Sequence, residues 1–141
     1  MTNVALVARK LAMLEEHLRR LRERRPADAT VFAADALLQD AIAMSVLVVV
    51  QEAMDIALHI ASDEGWEIAA TYRDAFAVLE RHGVIQAELA KALGGAAQLR
   101  NRIAHGYATL DAERLWNELP EGVAPFAAFS AAVGAFLQRF P

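Results

Sequence analysis

The sequence predicts an all-α bundle, on three observations. Alanine supplies 31 of the 141 residues while Gly and Pro together supply 11, a balance that favours helix. Apolar residues recur at spacings of three and four over long stretches. No stretch alternates apolar and polar residues as a half-buried strand would. The length fits one domain, residues 1–141. A chain of 15.4 kDa should fold from roughly 22,000 Å² of accessible surface to roughly 7,000 Å², so a real core can form without staples. There is no cysteine, which excludes a disulfide framework, thiol catalysis and cysteine–zinc sites.

The elements follow in order. Val4, Val7, Leu11, Leu14, Leu18 and Leu21 make one apolar stripe on a helix over about 3–25, which Pro26 ends. Asp28 or Thr30 can cap a second helix over about 31–61. That helix is apolar nearly all round over 42–50, so it is packed on several faces, as a central helix or at a dimer interface. Further on, Gln51, Asp55 and His59 share one face at i, i+4, i+8. They form the wall of a polar cleft, or else a buried Asp55–His59 pair or a simple solvent-exposed face. Asp63-Glu64-Gly65 breaks the helix, and Thr71-x-x-Asp74 opens a short one that Gly83 stops. A further helix covers about 86–105 and Gly106 ends it. Gly94-Gly95 inside it requires a kink or a close neighbour. Asp111 can cap a short helix through Leu119, Pro120-Glu121-Gly122 reads as a turn, and the stripe of Phe126, Phe129, Val133, Phe136 and Phe140 marks the last helix. The expected architecture is an up-and-down bundle of four main helices plus short ones.

The net charge of −4 is unevenly spread. Residues 1–25 hold seven basic and three acidic residues, +4, and the remainder holds seven basic and fifteen acidic, −8. The basic helix can face an acidic partner, or it is a solvated face with Glu15/Arg19 and Glu16/Arg20 pairs. The longest uncharged stretch, which takes in 123–138, contains Pro125 and Gly134 and is shorter than the ~20 residues that span a bilayer. The first ten residues lack the pattern of a secretory signal. The expectation is a cytoplasmic protein with no membrane partner.

Chemistry concentrates in Leu99-Arg100-Asn101-Arg102-Ile103-Ala104-His105-Gly106-Tyr107. Arg100 and His105 stand about 140° apart on a helix and can border one cleft, while Asn101 and His105 share a face. An imidazole can take the proton from a ribose 2′-hydroxyl, and a guanidinium can hold the phosphate and its developing charge. This is a minimum kit for RNA cleavage without metal or cofactor. One histidine cannot easily be base and acid in one turnover, but a two-fold dimer brings a second. Arg-x4-His alone would arise by chance in roughly one such chain in three; the added Asn and Tyr make a match far rarer. The residues by themselves fit a helix end that interacts with the macrodipole equally well.

Arg100-x4-His105-x-Tyr107 resembles the signature of HEPN-superfamily toxins of the HepT type. The resemblance extends over about 35–120, through Gln51–Ile60, Thr71–Phe76, Gly83-Val84-Ile85 and Glu88-Leu89-Ala90. Leu99 departs from the aromatic residue usual before the arginine. The resemblance implies a homodimeric, metal-independent ribonuclease toxin of a type VII toxin–antitoxin pair. It implies catalytic Arg100 and His105, with Asn101, Arg102, Asp55 and His59 as supporting cleft residues. It also implies that a nucleotidyltransferase antitoxin modifies Tyr107 with AMP. The alternative reading is a non-catalytic helical subunit of a nucleotidyltransferase complex.

Overall fold

The structure, a computed structural model, describes residues 1–105 and 111–141, the side chains of Ala96 and His105 excepted. Among these residues there are six helices and no strand: α1 (Val4–Arg24), α2 (Ala29–Ala33), α3 (Ala36–Asp63), α4 (Tyr72–Arg81), α5 (Ala87–His105) and α6 (Ala112–Leu137). Four are long and two are short, as expected.

Helix α3 packs against all five others, which is why its sequence is apolar on most sides. It runs antiparallel to α1. Thr2 bonds Glu64 at one end, Lys10 reaches Asp55 midway, and His17 bonds Ser45 toward the other end. Helix α6 runs antiparallel to α1, with Ser130 on Glu15 and Trp116 on Arg25, and to α5, with Glu118 on Arg102 and Gly122 beside Leu99. Val7, Leu14, Ile42, Ala53, Ile56, Leu79, Leu93, Phe129 and Val133 are fully buried where these helices meet. The phenylalanine stripe of α6 faces this core, and Phe76 meets Phe129 edge-on at 5.7 Å.

Three sequence expectations need correction. The helix expected over 31–61 is two helices. Asp28 caps α2 by accepting from the Thr30 N–H, and Asp35 caps α3 by accepting from the Leu38 N–H. Gln39 Nε2 donates to the Phe32 and Ala33 carbonyls at 2.9 and 3.1 Å, satisfying acceptors at the break. Second, no turn occurs at Pro120; α6 continues through Pro120 and Pro125. Proline at 120 leaves the Trp116 carbonyl, four residues earlier, without its helical N–H. The Arg25 guanidinium takes its place, donating from Nε and Nη2 at 3.1 and 3.0 Å. Third, the Glu15/Arg19 pair does not form. Glu15 accepts from Ser130 Oγ at 2.6 Å, and Arg19 bonds Glu16 and Glu23. The Glu16/Arg20 pair does form.

Helix α5 is continuous through Gly94-Gly95. A Cβ at Gly94 would stand 3.3 Å from Arg73 Cγ on α4, so the glycine admits a close neighbour. By length and composition α3 and α6 are both apolar enough to cross a membrane, which counting uncharged residues did not show. The apolar surface of α3 is used largely inside the bundle.

Candidate functional site

Residues 99–105 of the motif lie on the last turns of α5, opposite the middle of α3. Leu99 and Ile103 are buried and fix the rotation of α5 against the core. Arg100, one residue after Leu99, is thereby half-buried at the α3–α5 seam, and Asn101 is exposed beside it.

A chain of polar contacts runs from this arginine across three helices. Arg100 Nη1 donates to Asn101 Oδ1 at 3.1 Å, and Nη2 to Gln51 Oε1 at 3.5 Å. Gln51 Nε2 donates to Asp55 Oδ1 at 3.0 Å, using the i, i+4 spacing seen in the sequence. Asp55 Oδ2 accepts from Lys10 Nζ of α1 at 3.4 Å, and Lys10 also lies 3.5 Å from Glu52 Oε2. Both carboxylates thus have an ammonium as neighbour. Among the described residues, the side chains that Arg100 hydrogen-bonds are neutral amides. An amide oxygen orients a guanidinium without neutralising it, whereas a carboxylate would form a charge-assisted bidentate pair.

The expected site residues are only partly brought together. Arg100, Asn101 and Asp55 belong to this one network, and Gln51, which the sequence reading did not single out beyond its helix face, joins them. Lys10 was missed as well; its register opposite Asp55 appears only once α1 and α3 are paired. Arg102 lies on the other side of α5 and pairs with Glu118 at 3.2 Å, beside a groove of about 320 Å³ against α6. His59 lies eight residues along α3 from Gln51, about 12 Å farther from the motif's end. It makes no hydrogen bond among the described residues, and Asp55 bonds Gln51 and Lys10 rather than His59. His105 is the last described residue of α5, about 7.5 Å beyond Arg100 along the axis. Its side chain and Tyr107 lie outside the described residues. No group of three His, Asp or Glu side chains suited to a metal occurs among the described residues.

Comparison with known proteins decides the family. The family model described as "Ribonuclease HepT-like" matches residues 14–133. The chain belongs to the HepT-like ribonuclease family. Solved structures carry the same fold. A tri-AMPylated HEPN toxin of Shewanella oneidensis, in complex with an MNT antitoxin, superposes with a TM-score of 0.82 at 24% identity over 96% of this chain and 99% of that one. The toxin–antitoxin complex MntA–HpeT gives 0.81 at 23% identity over 92% and 98%. The cytosolic protein of unknown function YutE from Bacillus subtilis gives 0.84 at only 12% identity, over 98% and 92%. Among curated proteins, no sequence matches this chain. This HepT-like chain therefore shares a helical scaffold along nearly its whole length with toxins solved in toxin–antitoxin complexes.

Proposed function

We propose that this chain is a metal-independent endoribonuclease, the toxin of a type VII toxin–antitoxin pair acting in the cytoplasm. The observation that carries the reading is Arg100, oriented at a helix seam by amide oxygens, so that its charge is left for an anion. In the proposed reaction His105 removes the 2′-hydroxyl proton. The 2′-oxygen then bonds to phosphorus while Arg100 holds the phosphate oxygens. The bond from phosphorus to the 5′-oxygen breaks, that oxygen takes a proton, and a 2′,3′-cyclic phosphate remains. A second copy of the chain would supply the acid. Support for a homodimer comes from α3, where Leu37 and Met44 are 82% and 58% exposed. Met44 and Leu47 border a groove of about 330 Å³ with Ile103 and Ala104 near the motif's end. Cleaved RNA bearing 2′,3′-cyclic phosphate ends after incubation in EDTA supports the reading. RNA left intact by pure protein at every dose favours the non-catalytic subunit.

The proposed control is transfer of AMP to Tyr107 by a nucleotidyltransferase antitoxin. Two residues from His105, such an adduct sets bulk and negative charge where phosphate must enter. The S. oneidensis toxin, AMPylated in its antitoxin complex, supports the idea. Mass spectrometry after co-expression with the cognate antitoxin should find AMP on Tyr107. Bare tyrosine in a neutralised complex would point to steric inhibition instead.

A further inference from the structure

Gln51 occupies a position where its neutrality matters more than its shape. Asp55 can only accept, so the amide nitrogen of Gln51 must face it at 3.0 Å. The amide oxygen is thereby turned toward Arg100, the only orientation without a donor–donor and an acceptor–acceptor clash. Asp55 is itself held by Lys10 from a different helix. Orientation therefore passes from α1 through α3 to α5, and the charge of Asp55 stops at the amide. A direct carboxylate at position 51 would satisfy the arginine and compete with any phosphate.

We infer that Gln51 is a positioning residue, a neutral spacer anchored by Asp55 and Lys10 that holds Arg100 ready for an RNA phosphate. The inference rests on the proposed function, which supplies the phosphate. Its signature is electrostatic. Gln51→Glu keeps the volume and the reach, gives up the donor to Asp55 and pairs the guanidinium, whereas Gln51→Ala removes both contacts and leaves the charge free.

The test measures binding of a short single-stranded RNA over a range of KCl concentrations, in full-length protein carrying His105→Ala so that RNA is not consumed. Gln51→Glu should weaken binding about tenfold and flatten the slope of log affinity against log salt by about 0.7, the value for one lost phosphate contact on a single strand. Gln51→Ala should keep the slope. Thermal melts of both variants verify folding. Unchanged binding in Gln51→Glu overturns the inference. So does an equal loss in both variants with an unchanged slope, because that marks a structural role. Cleavage by protein with native His105 is read separately. Absent cleavage with an Arg100-dependent salt slope would sink the nuclease reading and leave the role of Gln51 standing.

Discussion

Among single residues, two arginines two positions apart differ in what they meet. Arg100 meets amides and Arg102 meets Glu118. Arg100→Ala should therefore weaken RNA binding by about tenfold or more and flatten the salt slope. Arg102→Ala should change binding by less than about threefold, because its charge is already paired. Equal losses measured by fluorescence anisotropy would contradict this division. The sequence made the motif legible because its chemistry sits within eight neighbouring positions. It could not separate the two arginines. Their partners lie 49 residues away on α3 and 16 residues away on α6, and only packing chooses between them. For the same reason Asp55 could be placed on a polar face but not joined to Lys10, 45 residues earlier.

At the scale of elements, periodicity was a good guide, as was Pro26 at the end of α1, and Pro120 a poor one. Asp28, Thr71 and Asp111 act as caps as their side chains suggest, each accepting from a backbone N–H in the first turn. Pro120 reads as a turn because an interior proline strands a carbonyl, and the sequence does not show a remote donor for it. Arg25 is that donor. Its guanidinium also lies 4.0 Å from the Trp116 ring centroid, and Trp116 Nε1 donates to the Pro26 carbonyl at 2.8 Å. Arg25→Ala should cost about 2 kcal/mol, roughly 6 °C in Tm, since a charged hydrogen bond and a cation–π contact go together. In a Pro120→Ala background the helical N–H returns to the Trp116 carbonyl, so the same substitution should cost clearly less. Equal costs in the two backgrounds, measured by urea unfolding, would refute the bridging role of Arg25.

At the scale of the whole molecule, the buried α1–α3 seam ties stability to pH. His17 is 8% exposed and bonded to Ser45 at 3.0 Å. Burial holds its imidazole below the ordinary value of 6.5, with Arg20 adding to the effect and Glu16 opposing it. The unfolded chain therefore binds this proton more readily. The stability contributed is fully present above about pH 6.5 and is lost as pH falls below it. Melting temperatures taken from about pH 7 to about pH 5 should fall more steeply in the native chain than in His17→Gln. Parallel curves would contradict this. The sequence showed a bundle with an apolar helix packed on several faces, as a central helix or at a dimer interface, but the net charge of −4 gave no guide to the site. What matters is a local balance, in which Lys10 screens two carboxylates and Arg100 keeps its charge. The most direct test of the central claim is the rate of RNA cleavage in EDTA by the native chain and by His105→Ala. The native chain should cleave, and the variant should lose about 100-fold or more of that rate. Equal cleavage by both proteins, or cleavage that appears only when metal is restored, would contradict it.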